Sequence, residues 1–136
     1  MMTFENFIDQ HKIIGVMFEA YLYKTADKFS ANYQGGYWQS KNIEGVENFF
    51  YLELDNDTMY TIKNAHNYYD KGSMDSKVYS LSVFAYALNT FGYHLYHQGR
   101  IEASEDFFRI YHRVMENALN ILKDEEKHAQ FYWFLD

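Results

Sequence analysis

The phrase YQGGYWQ, Tyr33 to Gln39, marks the point at which the chain changes period. Upstream of it, Phe4, Phe7, Ile8, Ile14, Phe18, Tyr21, Leu22 and Phe29 recur at helical spacing. Downstream, the even positions Val46, Asn48, Phe50, Leu52 and Leu54 are mostly apolar, while the odd ones are Glu47, Phe49, Tyr51, Glu53 and Asp55. That alternation is the pattern of a half-buried strand. Two of the chain's 7 glycines stand together in the phrase, in a sequence with no proline. Glycine accepts backbone conformations that a side chain resists, so Gly35 and Gly36 are read as the reversal from helix to sheet. Tyr37 and Trp38 then take consecutive strand positions and should point to opposite faces, one to the core and one to solvent or a partner.

Working outward, Thr3 is a predicted N-cap, and Gly15 is expected to divide the first helical segment in two. Gly36 to Lys41, Val46 to Asp55 and Met59 to Lys63 are read as three strands of a meander, with LDNDT as the turn between the last two. NYYDKGSMDSK is read as a connecting loop in which Ser73 caps the next helix and Asp75 favours its positive end. Val78 to Gly99 is apolar nearly all round, the mark of a buried helix. Ile101 to Leu122 is amphipathic, and Asp124 opens a short final helix. These readings give one α+β domain over residues 1–136, ordered α-βββ-ααα, with a small three-stranded antiparallel sheet packed against about four helices.

The composition narrows the function. At 136 residues and 48% hydrophobic content the chain can bury a core without staples. The aromatic share is 21%, carried by 14 Tyr, 12 Phe and 2 Trp, which implies a ring-rich core or contact surface. The absence of cysteine excludes disulfides, a thiolate zinc site and a cysteine nucleophile, and suits a cytoplasmic protein. Val78 to Gly99 is long enough to span a bilayer, but Ser80, Asn89, His94 and Gln98 would face lipid at high cost. The net charge of −7 opposes binding to a phosphate backbone. Glu44, Glu47, Glu53, Asp55 and Asp57 all lie between Lys41 and Lys63, with no base among them. Glu47 and Glu53 would stand about 20 Å apart along a strand, far from the ~3.4 Å repeat of phosphates on one DNA strand. The stretch is therefore read as a solvated face or a modest acidic contact patch.

Catalytic and metal constellations are thin. His94 and His97 share a helical face, and Glu125 and His128 have the Glu-x-x-His spacing of di-iron helices, but no second such motif exists. No nucleophile elbow, phosphate loop or dinucleotide fingerprint occurs. No catalytic residue, cofactor or metal is expected.

YQGGYWQ followed by FFYLEL resembles the signature of the KlcA/ArdB antirestriction family, in which a Tyr-x-Gly-Gly/Ala-Tyr-Trp phrase enters the sheet ahead of an aromatic strand. GSMDSKVYSLSVFAYALN, IYHRVMENALN and FYWFLD are similar to that family's central, penultimate and closing helices, so the likeness covers residues 14–136 in order. The connection SKNIEGVEN is longer than the family's usual turn, and Leu54 and Asp55 stand where it has a proline. The resemblance implies a compact α+β fold and a protein of plasmids and other mobile elements that relieves type I restriction of incoming DNA. It carries over no catalytic residue. On this reading Tyr33, Gly35, Gly36, Tyr37, Trp38, Glu47 and Glu53 form the family motif and candidate contact surface, and a type I restriction-modification enzyme is the expected partner. Inhibition of another DNA-targeting system such as CRISPR, a small enzyme and a non-catalytic interaction module are the competing readings.

Overall fold

The computed structural model describes residues 1–63 and 70–136. The N-terminal helical segment is two helices, α1 (Phe4–His11) and α2 (Ile13–Phe29). Thr3 caps α1 as expected, its hydroxyl accepting the Asn6 amide at 3.1 Å. The division falls at Lys12, where φ is 57°, and not at Gly15. Gly15 lies inside α2 and serves the join in another way: it faces the backbone of Ile8 with no side chain between them.

Next come β1 (Trp38–Lys41), β2 (Tyr51–Leu54), β3 (Met59–Lys63) and β4 (Asp70–Asp75). They do not form the expected three-stranded sheet. β1 pairs antiparallel with β2, Trp38 opposite Leu54, and β3 pairs antiparallel with β4, Tyr60 opposite Met74. The reason lies on the other edge of β3. Ser30 bridges Ile62, and the Asn32 side chain donates to the Met59 carbonyl at 3.0 Å while accepting the Thr61 amide at 3.0 Å. With β4 on one side and residues 30–32 on the other, β3 has no edge left for β2. LDNDT is a turn, but one that hands the chain from one hairpin to the next. Its Asn56 side chain accepts the Thr58 amide at 2.9 Å, and its carbonyl accepts the Ser76 hydroxyl at 2.7 Å. The described order is thus αα-ββ-ββ-ααα, still α+β.

The predicted alternation holds where β2 forms: Phe50, Leu52 and Leu54 are buried. It fails upstream, where Asn48 has φ 52° and Phe49 is buried as well. Residues 46–50 therefore precede the strand and do not belong to it. Of the stretch read as a connecting loop, residues 67–69 lie outside the described residues and residues 70–75 are β4.

The remaining helices are α3 (Ser76–His97), α4 (Ile101–Leu122) and α5 (Glu125–Leu135). α3 is the centre of the core and is packed by α2, α4, α5 and β2. Its Val78, Leu81, Ala85 and Leu88 are fully buried, and so are Val83 and Ala87 on the opposite side. Among the described residues no helix is long and apolar enough to cross a membrane. The bounds of α4 match the amphipathic stretch, and Asp124 caps α5 by accepting the Lys127 amide at 3.0 Å.

Ser73 does not cap α3; it lies in β4, opposite Thr61. The cap is Asp75, whose carboxylate accepts the Val78 amide at 2.9 Å and meets Lys127 Nζ at 2.9 Å. Partial burial works to raise its pKa, but the Val78 amide and Lys127 together hold it below the ordinary value. Asp75→Ala should cost about 1 kcal/mol in denaturant unfolding, the usual loss for a cap, and Ser73→Ala should stay within about 0.5 kcal/mol of the parent. A depressed carboxylate contributes stability above its unfolded pKa and loses it as pH falls through the folded one. Asp75→Asn should therefore keep most of the cap while flattening the fall in stability below about pH 4. A Ser73→Ala loss as large as that of Asp75→Ala would return the cap to Ser73.

Candidate functional site

The turn from α2 into β1 is built on its two glycines. Gly35 has φ 86° and Gly36 φ 141°, conformations that side-chain-bearing residues rarely adopt. A Cβ on Gly36 would also sit 3.2 Å from Leu54 Cδ2. The turn throws Trp38 and Tyr37 to opposite sides, as the alternation requires. Trp38 is 7% exposed and Tyr37 is 75% exposed. The Trp38 indole N–H donates to the Tyr33 hydroxyl at 2.9 Å, satisfying both buried polar groups. Burial raises the Tyr33 pKa, with the Trp38 bond acting the other way. Tyr33, Gly35, Gly36, Tyr37 and Trp38 thus form one structural unit, with Tyr37 its exposed member.

Beside this unit runs a groove of roughly 510 Å³. One wall is the consecutive residues 36–40, and the other is made by Glu5 of α1 with Glu19 and Tyr23 of α2. The Phe4 amide donates to Ser40 Oγ at 3.0 Å, tying the start of α1 to β1. Tyr23 sits 6.2 Å from the Trp38 ring and donates to Glu19 Oε2 at 3.3 Å. Burial, reinforced by Glu19, pushes its phenol up to about 12, so it is a neutral donor at any physiological pH. Among the described residues neither Glu5 nor Glu19 joins an ion pair. The groove offers negative charge, aromatic faces and backbone, and no nucleophile paired with a base lines it.

The two glutamates of the proposed acidic face do not belong together. Glu53 stands in β2 opposite Gln39, half-buried between Lys41 and Lys77, each 3.8 Å from its carboxylate. Glu47 is exposed in the segment before β2, beside Met1 and Met2. A face shared by both along one strand does not exist, because residues 46–50 are not strand. The sequence reading also overlooked Glu5, Glu19 and Tyr23. Glu19 and Tyr23 were visible as an i,i+4 polar pair on a mostly apolar helix, but that they face Tyr37 is a property of the tertiary fold.

The histidines once weighed as ligands have other neighbours. His94 contacts Gln98 at 3.2 Å and lies against Phe91, His97 stacks on Tyr93, and His128 packs with Phe131 and Tyr132. Among the described residues no three His, Asp or Glu side chains converge as a metal site would need.

Neither a known protein family nor a curated protein matches this sequence. A solved structure does match its fold. It comes from work on the KlcA and ArdB proteins, described as having a novel fold and antirestriction activity against type I DNA restriction systems in vivo but not in vitro. The TM-score is 0.71 at 19% identity, over 90% of this chain and 80% of that one. The chain therefore has the KlcA/ArdB fold, as the motif resemblance implied.

Proposed function

We propose that the protein is an anti-defence protein of a mobile genetic element, relieving type I restriction of incoming DNA in the cytoplasm without catalysis. The observation that carries this reading is the fold likeness over 90% of the chain, joined to the Tyr33–Trp38 phrase that builds the turn and one wall of the groove. The net charge of −7 opposes direct competition for DNA, since counterion release from phosphates needs cationic side chains. Contact with a defence protein is then the more economical mode. The neighbour's activity in vivo but not in vitro favours a mode that needs a cellular component as well as the restriction enzyme.

The test is protection in cells. Expressing the protein in a host with a type I system should raise the plating efficiency of unmodified phage, while modified phage should plate equally with or without it. Unchanged restriction across several type I specificities, with folded protein present, would overturn the reading. Purified protein should in parallel show no salt-sensitive binding to duplex DNA.

A further inference from the structure

The geometry points to the groove between β1 and the α1–α2 pair as a docking site for an extended, lysine- or arginine-bearing protein segment, added to β1 as a further strand. In naming the kind of partner segment the site takes, this rests on the anti-defence reading. Three separate features support it.

The first is the strand edge. Among the described residues β1 forms a strand ladder with β2 alone, apart from the Phe4 amide held by its Ser40 hydroxyl, and the groove runs along residues 36–40 of the same segment. An unpaired edge presents a row of N–H and C=O groups that a second chain can complete. β3 makes the contrast, because β4 and residues 30–32 occupy its two edges.

The second is charge. Glu5 and Glu19 line the wall facing β1, with no lysine or arginine in the groove. Glu53, a short way along the same sheet, already holds two lysines. Among the described residues Glu5 and Glu19 have no ion-pair partner, and a strand laid beside β1 would place alternate side chains toward them. A basic residue there gains two carboxylates without breaking an existing ion pair.

The third is the aromatic rim. Tyr37 is exposed at the start of β1, and Tyr23 is partly exposed beside the Trp38 ring. Tyrosine faces attract guanidinium and ammonium groups and shield the strand bonds beside them from water.

The experiment uses the whole protein and a short fluorescent peptide of alternating lysine and valine. The peptide should bind, with NMR shifts concentrated at residues 36–40. Strand addition uses the N–H groups on one edge of the incoming chain only. N-methylating one alternate set of peptide amides should therefore weaken binding by about tenfold or more, and methylating the other set should not. Glu5→Gln with Glu19→Gln should also weaken it by about tenfold, whereas Glu102→Gln with Glu116→Gln, equal in charge but on α4, should change it by less than about twofold. Equal effects of the two methylation frames would reduce the interaction to net charge attraction and overturn the proposal. So would preference for a helix-forming peptide, or a concentration-dependent dimer that occupies β1. The methylation comparison needs no variant, so it decides even if a substitution disturbs folding. Peptide binding retained in a protein that gives no protection in cells would uphold the groove's chemistry and overturn the antirestriction reading. Protection retained when neither binding nor the Glu5 and Glu19 dependence is found would do the reverse.

Discussion

Phe107→Ala should cost about 3–5 kcal/mol, a large share of the ~5–15 kcal/mol that holds a domain of this size. Phe107 is fully buried and joins four helices. Its ring meets Phe7 of α1 at 4.9 Å, Phe18 of α2 at 4.9 Å and Phe91 of α3 at 5.2 Å, edge-on to the first two. Each well-oriented aromatic pair adds about 0.5–1.5 kcal/mol beyond burial, and truncation removes all three while leaving a cavity at their junction. Phe107→Leu, which keeps most of the volume, should lose less than half as much. Urea unfolding with unchanged slope reads this directly; a loss under about 1 kcal/mol for the alanine variant would show that the junction collapses to fill the space.

The same ring gives a second readout. His11 packs against Phe107 at 5.3 Å and against Phe7 at 4.7 Å, with Nε2 3.3 Å from Asp106 Oδ2. Burial lowers the His11 pKa, Asp106 partly offsets this, and Arg109 adds to the lowering. A histidine depressed in the folded state binds its proton more readily when unfolded, so stability falls as pH drops below about 6.5. Opening the cavity in Phe107→Ala admits water to His11 and should flatten that fall. An unchanged pH dependence would mean that burial by Phe107 is not what depresses the histidine.

Legibility followed the range of the interactions. The bounds of α4, the Thr3 and Asp124 caps, the buried character of α3 and the opposed faces of Tyr37 and Trp38 all depend on neighbours a few residues away, and all were readable. The pairing of β3 was not. Met59 to Lys63 has strand composition whichever edge it takes, and the choice is made by Ser30 and Asn32, about thirty positions earlier in the chain. Ser73 was read as the cap and Asp75 only as favouring the helix's positive end, but the strand pairing of Ser73 with Thr61 places Ser73 in β4 and leaves Asp75 as the cap. The candidate site divides in the same way. Its turn is written in Gly35 and Gly36, while its acidic wall comes from two helices whose approach to β1 leaves no local trace. Glu47 and Glu53 looked like one patch only because the alternation was carried five residues too far upstream.

Gly15→Ala should destabilise the protein by about 2–4 kcal/mol, against the sign that helix propensity alone would give. In the interior of a helix, glycine to alanine ordinarily gains about 0.5–1 kcal/mol, because glycine loses more freedom on folding. Here the added Cβ would lie 2.3 Å from the Ile8 carbonyl oxygen, 2.7 Å from its Cα and 2.8 Å from its carbonyl carbon. All three are backbone atoms of α1, so no rotamer change relieves the overlap, and α1 must move away from α2. That movement would draw Phe4 and Phe7 away from Phe18, Phe50 and Phe107. It would also shift Glu5 relative to Glu19, so Gly15→Ala should impair the groove even where the protein stays folded. Gly92 supplies the control. A Cβ there would meet only the ring of Phe108, at 2.7 Å, and a partly exposed side chain can swing aside. Gly92→Ala should therefore cost clearly less than Gly15→Ala. If Gly15→Ala melts at or above the parent, the two helices do not touch at Ile8, and the glycine serves neither the bend at Lys12 nor the placing of the acidic wall.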